Sequence, residues 1–150
     1  MGTHTTAIRV RFDEVDQMNV VHHPRYLVYF EVARTRYMRD LGMPYKDVVR
    51  SGTHLAVVEV GVKYLRAARY DEELTVVTRC TEASGARVCL TYEVRRGEDL
   101  LATGFTRLGS IDGAGRAKRM PDELREVFER AVRGDEGSGR LGRQSAEEER

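Results

Sequence analysis

The sequence predicts an α+β domain in which one long buried helix packs on an antiparallel sheet. Three observations predict it. Between Arg25 and Leu41 the apolar positions Tyr26, Phe30, Ala33, Tyr37 and Leu41 recur at helical spacing. After Gly52 the pattern changes to period two and keeps it through four successive segments. The links Ala83–Ser84–Gly85 and Arg96–Gly97–Glu98 are short enough for antiparallel hairpins.

Each element follows from its own residues. Ile8, Val10 and Phe12 alternate with Arg9, Arg11 and Asp13, which marks a first, half-buried strand. Pro24 suits the first turn of the long helix, where its missing N–H costs nothing, and Gly42 is a natural stop. Val28, Tyr29 and Val32 widen the apolar stripe, so burial on most sides is expected. A short helix is expected from Pro44 to near Gly52. Ala56, Val58, Val60, Val62 and Tyr64 would share one face of the next strand. Leu74, Val76 and Cys80 mark another. Val88, Leu90, Tyr92 and Val94, with Arg87, Thr91, Glu93 and Arg95 opposite, mark a third, and Leu101, Thr103, Phe105 and Arg107 a fourth. From Pro121 onward Leu124, Val127, Phe128, Ala131 and Val132 predict an amphipathic closing helix. The domain is thus expected over residues 5–133, with 134–150 a flexible charged tail too poor in apolar side chains to offset the entropy of ordering.

Composition narrows the functional classes. The 150 residues carry 25 Lys+Arg against 24 Asp+Glu, and this balance excludes a dedicated nucleic-acid binder, which concentrates its basic residues. No apolar run approaches the roughly 20 residues of a membrane span. The start MGTHTTAIRV lacks the cationic and apolar regions of a secretory signal, so a cytoplasmic location is expected. Cys80 and Cys89 read as two free thiols in strands. His22 and His23 are adjacent, a spacing that rarely lets both rings reach one ion, so neither metal nor cofactor is expected.

The stretch FDEVDQMNVVHHPRYLVYFEVAR, Phe12 to Arg34, carries the chemistry. Asp16 lies in the loop before the long helix, and His23-Pro24 opens that helix. A helix start exposes unpaired N–H groups and a partial positive charge. A carboxylate folded back beside it supplies a base or nucleophile, and the N–H an oxyanion donor, the two parts needed to cleave an acyl group. Glu31 and Arg34, three apart on the helix, are expected to pair as ions.

The pattern D-x3-V-V-x-H-x2-Y-L-x-Y-F-E-x-A-R is supplied by Asp16, Val20, Val21, His23, Tyr26, Leu27, Tyr29, Phe30, Glu31, Ala33 and Arg34. It resembles the 4-hydroxybenzoyl-CoA thioesterase family of hot-dog-fold proteins. The segment VKYLRAARYDEEL, Val62 to Leu74, resembles the strand and turn that follow the helix in that family. The resemblance implies a hot-dog fold, a long central helix wrapped by a curved antiparallel β-sheet, assembled as a homodimer or homotetramer with the acyl thioester at the dimer interface. It implies Asp16 as nucleophile or general base, His23 as supplier of the helix-start N–H, and Tyr26 as part of the acyl pocket. The family has one or two glycines after the aspartate, where this chain has Gln17-Met18-Asn19. Asn19 tolerates a left-handed conformation and would keep the turn beside the substrate. Arg66 and Arg69, with Arg25, Lys63, Arg87, Lys118 and Arg119, are candidates for holding coenzyme A phosphates. The expected reaction is hydrolysis of an acyl-CoA, or of a carrier-protein-bound acyl thioester, to a carboxylic acid and a thiol. A non-hydrolytic acyl-CoA binding module is the alternative from another class, and Asp16 favours hydrolysis.

Overall fold

A computed structural model describes residues 3–134 of the chain. The predicted tail, apart from Gly134, lies outside the described residues. Strand β1 (Thr3–Arg9) leads through a single 3-10 turn (Phe12–Glu14) and a small hairpin to helix α1 (Arg25–Asp40). The short helix α2 (Tyr45–Arg50) follows, then β2 (His54–Tyr64), β3 (Glu73–Ser84), β4 (Arg87–Arg96) and β5 (Asp99–Ile111). Helix α3, residues 122–134, closes the described chain. The strands form one antiparallel sheet in the order β1-β3-β4-β5-β2, so β1 and β2 are its two edges.

The core lies between α1 and one face of this sheet. Tyr26, Tyr29, Phe30, Ala33, Tyr37 and Met38 are the buried residues of α1. They meet Leu74, Val76 and Cys80 of β3 and Leu90, Tyr92 and Val94 of β4, all within one cluster. Phe30 stacks flat on Tyr92, with centroids 4.3 Å apart and planes at 7°. Each such fully buried side chain contributes about 1.5–3 kcal/mol of apolar transfer. Leu124, Val127, Phe128 and Ala131 of α3 are buried as their spacing predicts. Cys80 and Cys89 are buried thiols with no disulfide between them.

Three local expectations change. The first strand stops short of Phe12, whose ring is 78% exposed and meets Tyr70 edge-on at 5.7 Å. The Glu14 carboxylate accepts the Arg11 N–H at 2.8 Å and curls the chain, so a local hydrogen bond overrides the alternation. In β2 the register shifts between Val57 and Glu59. That bulge puts Val58 on the opposite face from Val60, Val62 and Tyr64, because one extra residue inverts every side chain beyond it. Helix α1 is not covered all round: Leu27 and Val28 are 40% and 41% exposed on its open side.

Candidate active site

Residues 15–21 form a hairpin whose arms meet at a Val15–Val21 bridge. The Asp16 N–H donates to the Val20 carbonyl at 2.9 Å, and the Asn19 N–H donates to the Asp16 carbonyl at 3.0 Å. Asp16 also tightens the turn with its side chain, Oδ1 accepting the Met18 N–H at 2.8 Å and the Val20 N–H at 3.4 Å. Asn19 has φ +60°, the left-handed conformation that glycine provides without strain. The turn is clasped by the segment after β2: Val20 bridges Arg69, the Val21 N–H reaches the Ala68 carbonyl at 2.8 Å, and Asn19 Oδ1 accepts the Tyr70 N–H at 3.4 Å.

The second arm runs into α1. The His22 carbonyl accepts the Arg25 N–H at 2.9 Å, so it points along the helix. No peptide bond is cis, and in a trans peptide the N–H points opposite to the C=O. The His23 N–H is thereby aimed outward from the helix start, and it has no partner among the described residues. Pro24 follows with helical φ of −66° and no N–H of its own. The outcome is an unpaired donor at the positive end of α1, two residues past the short hairpin that carries Asp16.

Tyr26 is 3% exposed and sits edge-on to Tyr29 and Tyr64, with centroids 5.6 and 5.1 Å away. Burial is the largest cause raising its phenol above the ordinary value. Two side chains near the helix start escaped the sequence reading. Tyr64, which looks like one more apolar position of β2, donates its hydroxyl to the His23 carbonyl at 2.8 Å. Glu14 is 8% exposed, and its charge adds to burial in pushing the Tyr29 phenol well above its usual range. Neither carries a spacing signal that distinguishes it from an ordinary strand or loop residue.

The cations divide. Arg69 is held at the turn through its backbone bridge to Val20. Arg66 pairs with Asp99 at 3.1 Å, and Lys118 reaches the Gly52 carbonyl and Thr53 Oγ1 at 3.3 and 3.0 Å. Arg25 donates to the Asp13 carbonyl at 3.4 Å. The expected Glu31–Arg34 ion pair does not form among the described residues; Arg34 turns inward and donates to Tyr92 Oη at 3.5 Å. That hydroxyl also shares a 2.7 Å hydrogen bond with Thr106, so it offers the guanidinium a fixed acceptor. A hollow of about 600 Å³ lies elsewhere, against Val77, Arg79, Thr91, Thr103 and Phe105 on the sheet face turned away from α1. No described helix is long and apolar enough to cross a membrane.

Residues 10–128 match the family model of the Thioesterase-like superfamily. The acyl-CoA thioesterase YbgC of Haemophilus influenzae is 29% identical over 123 residues, 81% of this chain and 90% of its own. Bacillus subtilis YneP is 36% identical over 87 residues, 58% of this chain, and the match spans 63% of that relative. The crystal structure of DHNA-CoA thioesterase from Staphylococcus aureus superposes with a TM-score of 0.85 at 29% identity, covering 91% of this chain and 95% of the other. The helix and sheet described above are those of the hot-dog fold.

Proposed function

This chain belongs to the Thioesterase-like superfamily, and on that premise we propose how an enzyme of the acyl-CoA thioesterase class works with these residues. The thioester carbonyl oxygen binds at the outward His23 N–H, where the helix start stabilises the negative charge that develops on it. Asp16 either attacks the carbonyl carbon, forming a mixed anhydride that water opens, or takes a proton from the water that attacks. In both routes the C–S bond breaks, the thiolate leaves and is protonated, and the acid is released. One observation carries the reading: an unpaired N–H at the start of α1, two residues past the hairpin that bears Asp16.

Tyr26 lines the acyl pocket in this proposal, Asn19 shapes the turn against the substrate, and Arg69, with Arg66, lies on the side that receives the coenzyme A phosphates. The run from Asp16 to Arg34 supports placing the chain with the 4-hydroxybenzoyl-CoA thioesterases inside the superfamily. An acyl carrier protein presents the same phosphopantetheine thioester, so it belongs to the same substrate class. A panel of acyl-CoAs and acyl carrier proteins, followed by thiol release, tests the activity. Release from one member supports hydrolysis, and tight binding without any release supports a non-hydrolytic binding module.

The working form in this proposal is a homodimer joined along β2. That edge strand carries Val57, Val58 and Val60 at 48%, 62% and 39% exposure, and Leu27 and Val28 of α1 are open as well. An unpaired apolar edge is stable in water when a second copy covers it. A monomer by light scattering at micromolar concentration would overturn the dimer, and a mass of four chains would extend it to the tetramer.

A further inference from the structure

We propose that Tyr64 is a positioning residue for the oxyanion donor, acting from strand β2 on the peptide that follows His23. The inference rests on the reading of the His23 N–H given above. The His23 N–H lies in the first of the two peptide planes that flank this residue, and the second plane is linked to it only through the φ and ψ of His23. The first, His22–His23, is held from inside the helix by the Arg25 N–H at 2.9 Å. The second, His23–Pro24, has no N–H because residue 24 is proline, so only its carbonyl can be fixed. That carbonyl receives the Tyr26 N–H at 3.3 Å, a long contact, and the Tyr64 hydroxyl at 2.8 Å. The shorter bond comes from outside the helix.

Tyr64 is 46% exposed, and its phenol ring is held on its inner side by two ring contacts. Tyr64 lies edge-on to Tyr26 at 5.1 Å and to His23 at 6.3 Å, so it braces both the carbonyl and the imidazole of the same residue. Its backbone is fixed at the end of β2 by pairing with Ala102. A rigid strand therefore sets the aim of a group at the mouth of a helix. Side chains that lock a reacting geometry in this way act on the rate of the chemical step and little on affinity.

Tyr64→Phe tests this, because it keeps the ring contacts and removes only the hydroxyl. The expected result is a kcat about tenfold lower with KM within twofold, less than the 10²–10³ lost with an oxyanion donor itself. The melting temperature and oligomeric mass should stay at their wild-type values. Amide NMR gives a readout independent of turnover: the His23 N–H resonance should shift and exchange faster in Tyr64→Phe. An unchanged His23 resonance would overturn the proposal even in a chain that hydrolyses nothing. If the wild type releases thiol and Tyr64→Phe matches its kcat, the positioning role fails while the thioesterase reading stands. If no wild-type activity is found but the resonance moves, the positioning stands and the thioesterase reading fails.

Discussion

The ring of Phe30 fills the space in which a side chain at Gly104 would stand. A Cβ built at that glycine would lie 2.5 Å from two atoms of the Phe30 ring and 2.7 Å from the Gly61 carbonyl. Helix α1 can therefore settle on the sheet only because residue 104 has no side chain. Gly104→Ala should lower stability by about 1–3 kcal/mol, the usual cost of overpacking a core. A Cβ at Gly61 would also meet a ring, Phe105 at 2.5 Å, but that ring lies on the outer sheet face and is only partly buried. It can swing aside, so Gly61→Ala should cost less. Urea denaturation of the two variants checks the ranking, and equal midpoints would contradict it.

Asn19 holds the turn after Asp16 with φ at +60°. Asn19→Gly should preserve both activity and stability. Asn19→Val should lose about 1–2 kcal/mol, since a β-branched side chain is strained in the left-handed region. Thermal melts together with thiol release decide the matter. A valine variant as stable and active as wild type would show that the turn needs no left-handed residue.

Alkali should unfold the protein before it ionises all its tyrosines. Burial is the largest cause raising the phenols of Tyr26, Tyr29, Tyr64 and Tyr92 above the ordinary 10. Above pH 10 the unfolded chain releases these protons while the folded chain holds them. Folding stability is then fully present below pH 10 and falls as pH rises past it. The melting temperature should drop progressively from about pH 10 upward. A flat melting temperature to pH 11, with all tyrosines absorbing as phenolates near pH 10, would contradict the burial.

Much of this fold was legible because its signals are periodic. The stripe from Tyr26 to Tyr37 gives α1, and the alternation around Leu90 and Tyr92 gives β4. The hairpin turns follow from glycines in short links. Phe12 and Val58 were not legible, since a carboxylate bonding a backbone N–H and a one-residue bulge leave the local pattern intact while changing its outcome. Arg34 stood three residues from a plausible ionic partner, yet the buried hydroxyl of Tyr92 lay 58 positions away in sequence. At the helix start, Asp16 and His23 stood out through the run up to Arg34 that resembles a known family. Tyr64 did not, because its bond joins elements that only the tertiary fold brings together.

In the proposed reaction Asp16 does the chemistry while the start of α1 binds the carbonyl. Asp16→Asn keeps the shape and an oxygen for the Met18 N–H, which Oδ1 accepts at 2.8 Å. It removes the anion. Paired measurement of affinity and turnover on the best acyl thioester should show binding close to wild type and kcat lower by about 10²-fold or more. Hydrolysis by Asp16→Asn at a near wild-type rate would contradict the account and remove Asp16 from the catalytic step.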